Sequence, residues 1–170
     1  SVVMTVYNGA AYLGEAVQSM LAQSHKDFEF IIVDNASTDE SAQIVKNYRD
    51  PRILHIINDT NMGQTRALNL GLQNSKGKYV ARMDADDISL PHRLETQIKF
   101  LESHPRAAVV GAWHDEIDEN GKFLKQMRYP TDPDLVKFHL LTDGNLTRRC
   151  VAHPTVMFLK DVVLAVGGYN

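Results

Sequence analysis

Four short apolar runs dominate the first half of this chain: Ser1–Val6, Phe28–Val33, Ile53–Ile57 and Lys78–Met83. The segments between them have a different period. Leu13, Ala16, Val17, Met20 and Leu21 fall at i, i+3, i+4, i+7 and i+8, one face of a helix. Ile44, Val45 and Tyr48 follow the second run in the same manner, and Leu68, Gly71 and Leu72 follow the third. Phe28–Val33 is almost wholly apolar, as a strand is when both faces of its sheet are covered. Alternation sustained through four strands predicts an α/β fold, a mostly parallel sheet flanked by helices. Asn8-Gly9 and Asn61-Met62-Gly63 supply turn chemistry between elements. Ser37 and Glu40 match a capping box ahead of the second helix.

The second half changes character. Leu90-Pro91 opens a helix with Leu94, Ile98 and Leu101 on one face, and Pro91 suits its first turn. Ala107–Trp113 reads as a strand. Asn120-Gly121, between Glu116-Ile117 and Phe123-Leu124, predicts a type I′ hairpin. Asp132-Pro133 reads as N-cap and first residue of a short helix through Leu141. Thr155–Leu159 is an expected strand, and Asp161–Val166 a helix closed by Gly167.

Composition narrows the function classes. A chain of 170 residues with 44% hydrophobic and 23% charged residues fits one soluble domain with a sizeable core. A net charge of −3, with no block of Lys or Arg, argues against a nucleic-acid or anionic-membrane surface as the main partner. Cys150 is the single cysteine, so no intrachain disulfide forms, and a reducing, cytoplasmic setting is expected. No apolar run approaches the roughly 20 residues that span a bilayer. Both ends look cut, which leaves a signal or anchor elsewhere an open matter.

Candidate site residues gather at predicted strand ends. Thr5 to Tyr7, Asp34, and Asp84 to Asp86 all fall at strand C-termini, where open α/β sheets place their ligands. Asp84, Asp86 and Asp87 crowd three carboxylates into four positions. In extended backbone, residues i and i+2 share a side, roughly 6.5–7 Å apart. Two carboxylates so placed can face one divalent cation, and Mg²⁺ commonly takes one or two of them and fills its other positions with water and phosphates. Without a cation, two unit charges about 4 Å apart repel by roughly 4 kcal/mol at an effective dielectric of about 20. Asp87 is expected to cap the Pro91 helix or bond backbone rather than bind metal.

The order of these motifs resembles the inverting family 2 glycosyltransferases of GT-A fold. It runs Thr5-Val6-Tyr7-Asn8, Val33-Asp34-Asn35-Ala36-Ser37-Thr38-Asp39, Asn61-Met62-Gly63 with Arg66, Asp84-Ala85-Asp86-Asp87, His153 with Val156-Met157, and Gly167-Gly168-Tyr169, over the whole chain. The resemblance implies a sugar-nucleotide donor, usually a UDP-sugar, a divalent metal, Mn²⁺ or Mg²⁺, and transfer with inversion to an acceptor hydroxyl. It implies a single GT-A domain over 1–170, with 1–105 the nucleotide-binding half and 106–170 the start of an acceptor-binding half. By the same resemblance, Thr5 and Tyr7 line the base pocket and Asp34 accepts from the uracil ring. Arg66 lies near the nucleotide, Asp84 near ribose and metal, and Asp86 ligates the metal. His153 stands on the acceptor side of the diphosphate or touches the metal, with a structural histidine the competing reading. The family's general base is an acid downstream of Gly167-Gly168-Tyr169, so no catalytic base is named; Asp143 and Asp161 are carboxylates in the right half with no spacing that nominates them. Trp113 and His114 are expected to pack rather than bind sugar. A glycan or lipid-linked acceptor, with peripheral contact at the inner face of a membrane, fits such an enzyme, while donor sugar, acceptor and oligomeric state carry no legible pattern. Two other classes compete: a sugar-nucleotide nucleotidyltransferase, which Tyr7-Asn8-Gly9-Ala10-Ala11 disfavours for want of a basic residue, and a non-catalytic nucleotide-sugar-binding module.

Overall fold

The computed structural model describes residues 1–136 and 150–170. The expected alternation is present as β1 (Val2–Val6), α1 (Ala10–Leu21), β2 (Phe30–Asp34), α2 (Ser41–Asn47), β3 (Ile53–Ile57), α3 (Gln64–Asn74) and β4 (Tyr79–Asp84). After α4 (Arg93–Ser103) come β5 (Val109–Val110), β6 (His114–Ile117), β7 (Phe123–Met127), β8 (Met157–Leu159) and α5 (Lys160–Ala165). Two compact units result. One joins Ser1–Val110 to Met157–Asn170, and the other is Gly111–Val156.

The larger unit holds a six-stranded sheet in the order β3-β2-β1-β4-β8-β5. β1, β2, β3 and β4 are mutually parallel, and β8 runs antiparallel to both β4 and β5. This is the mostly parallel α/β sheet that the alternation predicts, in GT-A, Rossmann-like form. The chain steps outward from β1 to β3 and then returns across β2 and β1 to β4. Right-handed crossovers put helices of opposite step direction on opposite faces. Accordingly Leu13, Ala16, Val17 and Met20 of α1 and Val45 of α2 share a core with Val2, Met4, Val6, Phe30, Ile32, Ala81 and Met83, and Leu94 and Leu101 of α4 join the same core although β4 to β5 steps the other way. Each Val, Leu, Ile, Met or Phe among them contributes roughly 1.5–3 kcal/mol by leaving water. On the other face, α3 approaches so closely that a Cβ on Gly71 would stand 2.4 Å from Val3 Cγ1. β2 is buried at every residue, as its apolar sequence requires.

Several local expectations are corrected. The Ser37/Glu40 capping box does not form: Glu40 is the N-cap of α2 without a side-chain cap bond, and the Ser37 hydroxyl accepts from Asn8 N–H instead. α4 starts at Arg93 with His92 as N-cap, so Pro91 lies in the turn before the helix, not in its first turn. The strand expected over Ala107–Trp113 pairs only at Val109 and Val110, because its neighbour β8 is three residues long. β6 and β7 form the expected hairpin, but not through a type I′ turn. Asp118 N–H donates to Lys122 O, Gly121 N–H donates to Asp118 O, and Gly121 alone in the loop takes positive φ, the three-residue alternative. The Asp118 carboxylate selects it by accepting from the N–H groups of Asn120 and Lys122. Thr155 sits in a 3₁₀ turn, His153–Thr155, rather than in β8. Asp132 caps residues 133–136 as expected, accepting from Asp134 and Leu135 N–H. The expected helix end at Leu141, and Asp143, lie outside the described residues.

The fit of α3 on β1 yields a paired stability prediction. Gly71→Ala should cost about 1–3 kcal/mol by overpacking against Val3. Gly14→Ala, in α1 with nothing within 4 Å of the added Cβ, should be neutral or stabilise by up to about 1 kcal/mol. Urea unfolding of both variants checks the contrast, and equal effects would contradict the close approach.

Candidate functional site

The strand order reverses between β1 and β4, and ligands in open α/β sheets bind beyond the strand carboxyl ends at such a point. Thr5 pairs across this boundary with Asp84, and Val6 pairs with Asp34 on the other side. Tyr7 follows β1 and is 53% exposed. Thr5, Tyr7, Asp34, Asp84 and Asp86 therefore belong to one edge of one unit.

The loops that follow β1 and β2 are stitched to each other. Thr38 N–H donates to Asn8 Oδ1 at 2.8 Å, Gly9 N–H to Ser41 Oγ at 3.0 Å, and Ala10 N–H to Asp39 Oδ2 at 3.0 Å. Gly9 is the N-cap of α1 and Ala10 its first residue. The start of α1, where open α/β folds often seat phosphate, is thus occupied by the protein's own carboxylate. Hydrogen bonds from Ser41 and from Ala10 N–H hold the Asp39 carboxyl below its ordinary value of 3.8. Asn8 and Ala36 adopt positive φ, 53° and 65°. Asn tolerates this region; Ala pays roughly 1–2 kcal/mol of steric strain there.

Asp34 is wholly buried at the end of β2. Its Oδ1 accepts from Ser37 N–H at 2.8 Å, while Oδ2 has no hydrogen-bond partner. His55 on β3 also leaves Nε2 buried without a partner. Burial holds the His55 imidazole below its ordinary value, with the charge of Asp34 pulling the other way. Next to Asp34, Asn35 accepts from Asn58 Nδ2 at 3.0 Å and Met62 N–H at 3.1 Å and donates to Asn61 Oδ1 at 2.8 Å. This amide cluster fixes the Asn61-Met62-Gly63 turn that opens α3. Arg66, in the first turn of α3, is exposed.

The three carboxylates differ in environment. β4 ends at Asp84, so Asp86 lies in the turn beyond it; the strand spacing assumed for the pair does not apply. Asp84 is gripped at both oxygens by Arg82: Nη1 donates to Oδ2 at 2.5 Å and Nη2 bonds Oδ1. Arg82 is 2% exposed and Asp84 30%. The sequence reading passed over Arg82, although a charged residue in a buried run, two before an aspartate on the same strand side, was the signal. Asp87 does not cap α4, whose N-cap is His92. Burial pushes the Asp87 carboxyl up, aided by Asp84 and Asp86 and opposed by Arg82 and Arg93. Asp86 is exposed and makes no ion pair among the described residues. Among those residues no group of three or more His, Cys, Asp or Glu converges on one point. A hard divalent ion that shares its shell with phosphates needs only one or two carboxylates, and this all-oxygen donor set fits such an ion.

Gly167-Gly168-Tyr169 docks beside β4. Asn69 of α3 donates to Tyr169 O at 2.8 Å and accepts from Tyr169 N–H at 2.9 Å. A Cβ on Gly168, at φ +80°, would stand 2.5 Å from Asn69 Oδ1. Burial pushes the Tyr169 hydroxyl up to about 12, with Arg82 acting against it. His153 lies on the 3₁₀ turn of the smaller unit. In that unit Trp113 Nε1 donates to Tyr129 O at 3.0 Å while its side chain stays half exposed, and His114 stacks on Tyr129 at 5.8 Å. Asp161 is exposed in the first turn of α5.

The family profile "Glycosyl transferase family 2" matches residues 1–165. The chain is 38% identical over 167 residues to an uncharacterized glycosyltransferase, MJ1057, of Methanocaldococcus jannaschii, covering 96% of this chain and 56% of that protein. It is 37% identical over 171 residues to the O-antigen biosynthesis glycosyltransferase WbnJ of Escherichia coli, covering 99% and 65%. The chain thus spans about half to two thirds of these relatives. In backbone shape it resembles S. aureus TarS 1-349 in complex with UDP-GlcNAc, with a TM-score of 0.75, 22% identity, and 99% and 47% of the two chains covered. It also resembles the mannosyltransferase PcManGT from Pyrobaculum calidifontis in complex with GDP-Man and Mn²⁺, with a TM-score of 0.73, 19% identity, and 99% and 46% covered.

The Asp39 cap gives a pH prediction. A carboxyl held below its ordinary value stabilises the fold fully above that value, and the contribution is lost as pH falls through the lowered one. Between about pH 5 and about pH 2, the melting temperature of wild type should therefore fall more steeply than that of Asp39→Asn. Parallel curves would mean that Asp39 does not cap α1.

Proposed function

Because the chain belongs to glycosyl transferase family 2, we propose that it forms the donor-binding part of a metal-assisted, inverting glycosyltransferase acting on a nucleoside-diphosphate sugar, with a UDP-sugar favoured. The observation that carries this reading is the rim at the β1/β4 switch point. There an exposed Asp86 stands beyond an Asp84 already neutralised by Arg82. The start of α1 is closed by Asp39, so it does not compete for phosphate.

Within this reading Tyr7 and Thr5 border the base, and Tyr7 offers an exposed ring for stacking. Asp34 Oδ2 is a buried acceptor without a donor, which a base N–H would satisfy. Since Asp34 is out of solvent, that contact needs the surrounding chain to shift, and the loop after β2 carries a strained point at Ala36. Arg66 reaches the phosphates as a charge-assisted donor. Asp86, with Asp84 held beside it by Arg82, would ligate the divalent cation, Mn²⁺ or Mg²⁺. When bound, that cation supplies positive charge where negative charge develops on the leaving diphosphate. An acceptor-side role for His153, and a general base downstream of Gly167-Gly168-Tyr169, are what the resemblance implies, with a structural histidine the competing reading for His153.

The name of one relative, an O-antigen biosynthesis enzyme, supports a cell-surface glycan or lipid-linked acceptor. Among the described residues no helix is long and apolar enough to cross a membrane.

Isothermal titration tests the reading on the full-length protein. UDP should bind at least about tenfold more tightly with Mn²⁺ than without. Asp86→Ala should remove that gain while leaving the melting temperature unchanged or higher, because it relieves like-charge repulsion at an exposed position. Asp34→Ala should weaken UDP more than pyrophosphate. Metal-indifferent UDP binding would contradict the cation's role, and equal losses of UDP and pyrophosphate would contradict base reading by Asp34.

A further inference from the structure

We propose that Arg82 is a positioning residue that withdraws Asp84 from the cation, so that Asp86 becomes the cation's carboxylate ligand. This rests on the reading of the rim as a cation and sugar-nucleotide site. Three carboxylates stand in four positions, yet only Asp86 is exposed. Asp84 has both oxygens engaged by the two terminal nitrogens of Arg82. A guanidinium fork matches a carboxylate in this two-point manner, and an ammonium does not.

The fork cannot slide. Arg82 and Asp84 are held opposite Val3 and Thr5 by the parallel pairing of β4 with β1. From α4, Arg93 Nη2 donates to the Arg82 carbonyl at 2.6 Å, and Arg93 Nε donates to Gln97 Oε1 at 3.2 Å. Arg93 is also the cationic neighbour of Asp87. The Arg82 guanidinium thus offsets the Asp84 carboxylate by direct contact. Asp86 is exposed and makes no ion pair among the described residues.

The consequence concerns the cation's shell. A divalent ion held by one carboxylate is bound weakly by protein alone and keeps positions open for diphosphate oxygens. If Asp84 were free, it would add a charge and a ligand. The ion would then bind more tightly without nucleotide and offer less to the donor. Arg82 therefore tunes the rim toward binding the ion together with the diphosphate.

Electron paramagnetic resonance of free Mn²⁺ tests this on the full-length protein without nucleotide. Arg82→Met should bind Mn²⁺ about tenfold more tightly than wild type, by adding one uncompensated charge near the ion. In the same variant, the gain in UDP affinity on adding Mn²⁺ should shrink. A merely structural role would weaken metal binding, the opposite sign. Arg82→Lys keeps the charge but loses the fork, so it should fall between the two; should Arg82→Met not fold, Arg82→Lys carries the test. Mn²⁺ affinity equal to or weaker than wild type in a folded variant would overturn the role of Arg82. Wild type that binds neither Mn²⁺ nor UDP would instead overturn the reading of the rim itself.

Discussion

A guanidinium sealed inside a parallel sheet is tolerable only against an anion that it can reach with good geometry, and Arg82 reaches Asp84. Breaking a buried pair by removing one partner costs about 3–5 kcal/mol, because an unpaired charge is left behind. Much of the rim follows from this one contact. It ties the last residue of β4 to its own strand, at the position that the backbone pairing of β4 with β1 sets opposite Thr5. Tyr169, brought in by the two-point grip of Asn69 on its backbone, closes the same region and lies edge-on to Phe158 of β8. Beyond the pair, the next carboxylate in the chain is left in solvent.

The other side of the switch point is settled by short hydrogen bonds. Asn8, Gly9 and Ala10 are tied to Ser37, Thr38, Asp39 and Ser41. In many open α/β folds the first helix seats phosphate at its N-terminus through free N–H groups and the helix dipole. Here an aspartate of the next loop takes that place. On the proposed function, a diphosphate would find its positive charge elsewhere, at a cation held on the carboxylate rim.

Much of the fold was legible because period and burial agree. β2 is apolar at every position but its last and is buried throughout, and the α1 face at Leu13, Ala16, Val17 and Met20 lies in the core. Boundaries and caps were less legible, since local polar side chains had two uses. Ser37 could cap α2 or hold Asn8, and tertiary pairing chose the second. Asn120-Gly121 suggested one turn, and the Asp118 carboxylate imposed another. At the site, the positions of Asp34 and Asp84 at strand ends could be read from the sequence. The grip of Arg82 could be read only by noticing a charge in a buried run. The contact of Asn69 with Tyr169 joins residues 100 apart and left no local trace.

The central claim is that one exposed aspartate, beyond a pair that stays closed, receives the ion that accompanies the diphosphate. Anomalous diffraction at the manganese edge, from crystals grown with UDP and Mn²⁺, tests it most directly. A manganese peak on the Asp86 carboxylate, with Asp84 still held at both oxygens by Arg82, is the expected result. A peak away from the strand rim, or one that draws Asp84 off Arg82, would contradict it.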